Sequence, residues 1–185
     1  MAKSFILLLF FVSSLIASVV FFQSCKEPRT KPSATNQPEL ITTLKIEFKD
    51  AETGEISEFF YRDLDSFDSN LPNRWDSIRL KTNSTYYFSV KFLNESDPNE
   101  IINVTPEIKS EDYNHLVCYE TSANSIIIRS DNDGIYPLGL ESKWITGQHS
   151  KDNFTVRLMH QPGIKNGNCE IGETDVQVTF PLIIQ

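Results

Sequence analysis

The chain has 185 residues and a formal net charge of −8, from 25 acidic and 17 basic side chains. A nucleic-acid partner would need clustered Lys and Arg to bind phosphates, so this acidic balance argues against one. Thirteen Phe, six Tyr and two Trp, together with many Ile and Val residues, favour strands over helices.

The N-terminus has the layout of a secretory signal. Lys3 supplies a positive start, residues 5–20 are apolar apart from three serines, and the run closes on Phe22-Gln23-Ser24-Cys25. A bacterial lipoprotein signal peptidase cuts just before such a cysteine. We therefore expect residues 1–24 to be removed and Cys25 to carry lipid that holds the protein on a membrane. Two alternatives remain open: a retained transmembrane anchor, and a plain secretory peptide, whose usual Ala-x-Ala site is absent.

The rest of the chain divides into a tether and one domain. Residues 25–39 are the lipidated cysteine and a polar, proline-containing segment, which predicts a flexible tether. Residues 40–185 are long enough for a single domain with its own core. This domain contains Cys118 and Cys169. Outside the cytoplasm they can form one disulfide, and the alternative is two unpaired thiols, because the sequence does not show whether their Cα atoms approach.

Period-two alternation dominates from residue 40 onward. Leu44, Ile46 and Phe48 alternate with charged residues, and Thr53-Gly54 stands where a hairpin turn is expected. Thr105-Pro106-Glu107 predicts one short helix with Thr105 as its N-cap. Strands are predicted over residues 44–49, 56–62, 76–80, 85–93, 115–120, 125–129, 138–146, 154–159 and 174–184. About nine short strands predict an all-β fold, an antiparallel immunoglobulin-like β-sandwich with at most one short helix, or alternatively a small barrel.

Histidines and turn carboxylates are the candidate ligands. His115, His149 and His160 could hold Zn or Cu through neutral imidazole, although no HxH or HExxH spacing is present. Acidic residues in segments 63–68 and 131–134 could bind calcium, but Asp and Asn also favour turns for backbone reasons alone. His160-Gln161-Pro162-Gly163 is a compact turn whose side chains could face a ligand or cap backbone groups. The candidate ligand or metal set is His115, His160, Gln161, Asp131 and Asp133.

No motif indicates catalysis. The sequence lacks GxSxG, a P-loop, GxGxxG, HExxH and a CxxC pair. The chain is therefore predicted not to be an enzyme, and the sequence requires no cofactor. A hydrolase of envelope substrates with unrecognised spacing is the alternative.

The C-terminal half carries a series of short motifs. They are Gly134-x-x-Pro137-Leu138-Gly139-Leu140, Lys143-Trp144, Thr146-Gly147, Leu158-x-His160-Gln161-Pro162-Gly163-x-Lys165 and Gly172-Glu173-Thr174-Asp175-Val176. With Phe92-Leu93-Asn94-Glu95-Ser96 and the His115 segment, they resemble small lipoproteins of Bacteroidota labelled type 1 periplasmic binding domain-containing proteins. The resemblance implies an outer-membrane lipoprotein, often encoded near TonB-dependent receptors, without an established enzyme activity. It also favours a site of two histidines, His115 and His160, over one of three.

The main prediction is a lipid-anchored binding or interaction protein of the cell envelope, an accessory to outer-membrane uptake. Its expected partners are the membrane, through lipid on Cys25, and a TonB-dependent receptor. Its expected place is the outer membrane, on the periplasmic or the surface face. Lys26 favours that membrane, because an inner-membrane retention signal at this position is typically acidic. The alternatives are a metal or small-ligand carrier that uses His115 and His160, and an envelope hydrolase.

Overall fold

In the computed structural model, which describes residues 40–64, 71–131 and 135–185, the domain is an all-β sandwich. This confirms the predicted fold class. The strands are β1 (Thr43–Asp50), β2 (Ile56–Arg62), β3 (Arg74–Trp75), β4 (Ile78–Leu80), β5 (Thr85–Asp97), β6 (Glu100–Asn103), β7 (His115–Glu120), β8 (Ile126–Arg129), β9 (Glu141–Ile145), β10 (Ser150–His160) and β11 (Glu173–Ile184). One short helix, α1, spans Thr105–Ser110.

The predicted signal peptide, the tether and the lipid site Cys25 lie outside the described residues. The described residues from 40 onward belong to one compact unit. Within the described ranges, no helix has the length and apolar character needed to cross a membrane.

The two sheets differ in size. The larger sheet has seven strands in the order β3-β2-β1-β5-β9-β8, with β6 paired to the end of β5 that lies beyond β9. The smaller sheet has four, in the order β4-β11-β10-β7. Pairing is antiparallel except between β4 and β11, which run parallel, so the expectation of purely antiparallel sheets is wrong there. The chain enters β4 from a strand of the other sheet, so no hairpin fixes its direction.

Strands with clear alternation lie where the sequence predicts them. β2 and β7 have the predicted bounds, while β5 and β10 extend beyond theirs. The prediction missed β3 and β6, which are two and four residues long and exposed at every position. Their side chains have no buried face, so they carry no period-two signal.

Helix α1 has a different N-cap from the one predicted. Val104, not Thr105, is the N-cap residue, and no side chain caps the helix. Thr105 Oγ1 instead accepts a hydrogen bond from Phe92 N–H at 2.9 Å. This contact with β5 uses the hydroxyl that was expected to cap the helix, so tertiary packing has overridden the local capping preference.

Aromatic side chains fill the space between the two sheets. In the larger sheet, Phe48 stacks on Phe88 with ring centroids 5.1 Å apart. Trp144 of the same sheet meets Phe154 of the smaller sheet at 4.6 Å, and Tyr119 stacks on Phe154 at 5.7 Å. Such aromatic pairs contribute about 0.5–1.5 kcal/mol each beyond the burial of their area. These inward-facing rings are the principal contacts between the sheets.

A disulfide joins Cys118 of β7 to Cys169. Cys118 packs with Leu116 and Met159 in a small cluster that Cys169 also contacts. Val117, between Leu116 and Cys118, faces the main core, so this cluster lies on the outer face of the smaller sheet. The bond therefore ties the segment that follows β10 onto the outside of the sandwich.

Loss of this disulfide is expected to destabilise the domain. It joins residues 51 positions apart, and the chain-entropy account gives about 4 kcal/mol for a loop of that size. We expect the Cys118→Ala/Cys169→Ala double variant to lose stability of this order in urea denaturation. Adding reductant should then affect the wild type alone, and equal stability of the two proteins without reductant would contradict the prediction.

Candidate functional site

His115 and His160 lie side by side at one end of the smaller sheet. His115 is the first residue of β7, His160 is the last of β10, and the two are directly opposite in the antiparallel register. Opposite residues share a face of the sheet. The imidazole rings therefore stack, with centroids 5.1 Å apart and planes 18° apart. The fold thus brings together the two histidines that the sequence analysis selected.

A β-bulge adds a carboxylate to this pair. β11 runs along the other side of β10, and the register skips Asp175 between Thr174 and Val176. A bulge re-aims the side chain of the extra residue. Here it brings Asp175 Oδ2 to 3.9 Å from His115 Nε2, with the two side chains only 4% and 3% exposed. His115, His160 and Asp175 together are called the His–His–Asp cluster below.

Burial and one hydrogen bond decide the protonation of His115. His115 Nδ1 lies 3.1 Å from Glu111 O. A carbonyl oxygen only accepts hydrogen bonds, so Nδ1 carries the proton and Nε2 faces Asp175 as an acceptor. Burial lowers the pKa of His115, and repulsion from His160 and Lys165 acts in the same direction, while the contact with Glu111 opposes them without reversing the shift. The His115 ring is therefore neutral at neutral pH, with its single proton on Nδ1.

The surroundings of Asp175 also disfavour a charged side chain. Burial raises the pKa of its carboxyl, and Glu173 adds repulsion, while His160 acts in the opposite direction. Among the described residues, Asp175 Oδ2 has no hydrogen-bond partner. The 3.9 Å to His115 is too long for a hydrogen bond. A buried carboxylate oxygen left in this state costs stability, which is typical of groups kept for another reason.

A cavity of about 270 Å³ has Asp175 in its wall. Strands β1, β2 and β11 contribute to the lining, which includes Thr42, Tyr61 and Asp63. The Tyr61 hydroxyl donates to Asp63 Oδ2 at 3.4 Å. The cavity therefore offers carboxylate and hydroxyl oxygens, a set suited to a small cation or hydrogen-bond donor.

Gln161 stabilises the turn that follows β10. It is fully buried, and its Nε2 donates to Asn168 O at 2.7 Å and to Ile171 O at 2.8 Å. Its backbone carbonyl accepts from the N–H groups of Ile164 and Lys165. Of the two roles that the sequence left open for this side chain, the contacts show the capping of backbone groups.

The candidate set also contained two turn carboxylates, Asp131 and Asp133. Asp131 Oδ1 accepts a hydrogen bond from Gly139 N–H at 2.8 Å, which is ordinary turn chemistry. Asp133 lies outside the described residues. Within 40–64, 71–131 and 135–185, no three His, Cys, Asp or Glu side chains are placed to hold one metal ion. The geometry there gives the metal form of the histidine hypothesis no support.

Sequence reasoning did not select Asp175, although it is the residue that distinguishes the cluster from a packed histidine pair. Buried residues alternate regularly along β11 from Val178 to Ile184. Asp175 and Val176 are adjacent and both half-buried, which breaks that alternation. The break is the signal of a bulge, but a polar residue at a strand end looks the same without the partner strand.

No protein-family model, no curated protein and no solved structure matches this chain. The resemblance to small Bacteroidota lipoproteins therefore stays a prediction. Fold and site alone define the class of protein: an all-β sandwich domain, closed by one disulfide, with a buried His–His–Asp cluster at one end of its smaller sheet.

Gly172 is required by close packing against the histidine turn. Its φ is +87°, and a Cβ at this position would lie 2.4 Å from His160 O. Overpacking of this kind costs about 1–3 kcal/mol, so Gly172→Ala should lower the melting temperature clearly. Gly163→Ala is the matched control, with φ +71° but open space around its Cβ, so it adds backbone strain alone. Equal losses in the two variants would show that the close approach is unimportant.

Asp175→Asn is expected to stabilise the domain at neutral pH by about 1 kcal/mol, because it removes a buried charge with an unpaired oxygen. The raised pKa of Asp175 means that the folded state binds more protons, so wild-type stability falls as pH rises above the unfolded value of 3.8. The advantage of the variant should therefore grow from pH 4 to pH 7 in thermal denaturation. Asp97→Asn, at an exposed position, should show no such trend. A variant less stable than wild type at pH 7 would mean that the carboxylate is paired.

Proposed function

We propose that this chain is an exported, lipid-anchored protein of the cell envelope that works by binding a partner, as an accessory to outer-membrane uptake. The observation that carries the proposal is the disulfide between Cys118 and Cys169. Structural disulfides persist in oxidising compartments and are rare in the cytosol. The bond therefore supports export of the domain independently of the N-terminal signal and of Cys25.

Binding rather than catalysis is supported by how the domain uses its polar side chains. A nucleophile, acid or base must reach its substrate, yet the His115 side chain is almost fully buried. Gln161 is committed to backbone groups of its own loop. The His–His–Asp cluster lacks a neighbouring Ser or Cys nucleophile among the contacts described for it. The envelope hydrolase therefore has no supporting observation of its own.

A small-ligand carrier is the second candidate function. The observation that favours it is the 270 Å³ cavity, which has both Asp175 and Asp63 in its wall. Carboxylates in one cavity suit a small cationic ligand, such as an amine. This candidate keeps the predicted carrier role and moves the ligand contact from the histidines to the wall of this cavity, with Asp63 as the tested carboxylate. Titration calorimetry with small amines, compared between wild type and Asp63→Asn, separates it from the partner-binding proposal.

The anchor is tested by Cys25→Ala in the full-length chain. We expect wild type in the outer-membrane fraction in a lipid-bearing form, because two or three acyl chains hold a soluble domain stably. The variant should stay unprocessed and lose the lipid, as measured by membrane fractionation and mass spectrometry of the N-terminus. Cys118→Ala/Cys169→Ala is the control, since it removes other cysteines and lowers the stability of the domain but should leave lipidation unchanged. A Cys25→Ala protein that is processed and membrane-bound like wild type would refute the lipid anchor.

The binding role is tested by mild crosslinking of the full-length protein in its own membranes. Recovery of one outer-membrane receptor would support an accessory role in uptake. Recovery of small molecules alone, without a protein partner, would contradict that role and favour the carrier.

A further inference from the structure

Strand β8 forms an edge of the larger sheet and carries two exposed apolar side chains. Natural sheets shield their edges with charge, covering segments or very short strands. At β8 the side chains of Ile126 and Ile128 are 58% and 50% exposed instead. Both project from the outer face of the sheet, opposite Ile145 and Lys143 of β9. An edge of this kind favours pairing with another strand.

Three other sheet ends, β3, β7 and β4, are short or covered. β3 is two residues long, and its Arg74 forms an ion pair with Asp76 at 2.8 Å. β7, at the end of the smaller sheet, is covered, because Val117 N–H donates to Leu138 O at 2.7 Å. β4 is three residues long, with two of its side chains buried. β6, which pairs only with β5, shares the exposed apolar character of β8 through Ile101 and Ile102. β8 is distinguished by the groove and the arginine beside it, described next.

The hydrogen-bond phase of β8 identifies the backbone groups at its open edge. Ser130 N–H donates to Glu141 O of β9 at 2.9 Å. Antiparallel ladders alternate, so residues 126 and 128 also bond to β9, while residues 127 and 129 turn their N–H and C=O groups away from it. The edge thus presents the backbone groups of Ile127 and Arg129 at the spacing that a further antiparallel strand requires.

A groove of about 370 Å³ lies beside these two residues. Tyr119, Ile127, Arg129, Ile135 and Pro137 line it, and it is called the β8 groove below. Ile127 and Arg129 oppose the buried Trp144 and Ser142 of β9, so their side chains lie on the inner face of the sheet. A strand added at the edge would place its own inner-face side chains in this groove.

Arg129 brings a positive charge to the β8 groove. Its Nε donates to Val117 O at 2.9 Å, and its Nη2 lies 3.2 Å from Cys169 Sγ. None of the described carboxylates forms an ion pair with it, and Asp131 acts on it only through space. Burial lowers the pKa of Arg129, but a guanidinium stays charged in proteins. A carboxylate from a partner would pair directly with this guanidinium, which no described carboxylate does.

We propose that the β8 edge and the β8 groove bind an extended segment of a partner protein, antiparallel to β8. The segment places an acidic residue opposite Arg129 and, two residues later, an apolar residue opposite Ile127. β-Branched residues opposite Ile128 and Ile126 complete the outer face. This inference rests on the proposed binding function and supplies its surface and the chemistry of its partner.

Charge favours such a partner over a second copy of this chain. In a symmetric pair of β8 strands centred on Ile127, which overlaps the strands most fully, Ile127 would oppose Ile127 of the copy, and Arg129 would oppose Ser125 of the copy. No carboxylate would then reach the guanidinium. An acidic partner strand satisfies both the backbone edge and the charge.

The probe is a fluorescein-labelled synthetic peptide, Lys-Ser-Glu-Val-Ile-Val-Ser-Lys, titrated with the full-length protein in mild detergent and followed by fluorescence anisotropy. Its Glu is designed to oppose Arg129 and its Ile to oppose Ile127. Replacing this Glu by Gln should weaken binding about ten-fold, because it removes the charge that pairs with the guanidinium.

Two N-methylated peptides test strand pairing without changing the protein. Methylation of the Ile nitrogen, which faces β8, should weaken binding about ten-fold or more, because it removes a backbone hydrogen bond and adds a clash. Methylation of the second Val nitrogen, which faces away from β8, should leave the affinity nearly unchanged. Equal affinities of the two methylated peptides would overturn the pairing.

Protein variants locate the surface. Ile128→Lys changes an exposed side chain beside the edge and should weaken peptide binding, as positively charged edge residues disfavour strand addition. Ile101→Lys on β6 is the matched control, because Ile101 is also exposed and lies on a different strand.

Equal effects of the two variants, or absence of peptide binding at millimolar protein, would overturn the proposal. So would a peptide-insensitive dimer that Ile128→Lys dissociates, because it would make the occupant a second copy. Membrane fractionation with Cys25→Ala stays informative in each case, so failure here is distinguishable from failure of the anchored-envelope proposal.

Discussion

Aromatic packing between the sheets is the interaction on which the rest of the structure depends. Trp144 and Phe154 meet across the core with centroids 4.6 Å apart, and Phe88 lies 6.3 Å from the same Phe154 ring. The larger sheet contributes Phe48 and Phe88 from neighbouring strands. These contacts fix the spacing of the two sheets, so the positions of strand ends, turns and edges follow from them.

The end of the smaller sheet is specialised by two local departures from regular structure. The bulge in β11 directs Asp175 toward His115, and the turn built on Gln161 closes over the end of β10. The disulfide holds the rest of that loop on the outer face of the sheet. A buried carboxylate with an unpaired oxygen costs stability, and the well-packed core allows the fold to tolerate it. Asp175 also lies in the wall of the cavity that the carrier proposal assigns to a ligand.

Anchoring and recognition are separate in the proposed function. Lipid on Cys25 would confine the chain to a membrane without constraining the surface of the domain. Recognition through the β8 edge would need only a short extended segment from the partner, with an acid to meet Arg129. Main-chain hydrogen bonds would supply affinity and alternate side chains specificity, as in other cases of strand addition. The acidic character of the chain discourages non-specific contact with anionic surfaces.

Much of the fold was predictable from local pattern. Alternation at Leu44, Ile46 and Phe48 predicts β1, and the same signal predicts the bounds of β2 and β7. These strands each bury one face, so the sequence records which residues point inward. β3 and β6 bury none, and the parallel pairing of β4 with β11 depends on a crossover between sheets. Such features leave no periodic trace.

The site was predictable only in part. His115 and His160 were selected as residues, but their stacking follows from the register of β7 and β10, and register is a property of paired strands. Asp175 and the open β8 edge were invisible for the same reason, since a bulge and an edge exist only relative to neighbouring strands. By itself, the sequence determined the strand-forming segments and a β-sandwich class, because a strand that buries one face has apolar residues at every second position. The tertiary structure alone decided which strands became edges and which polar residues met, because both depend on long-range pairing.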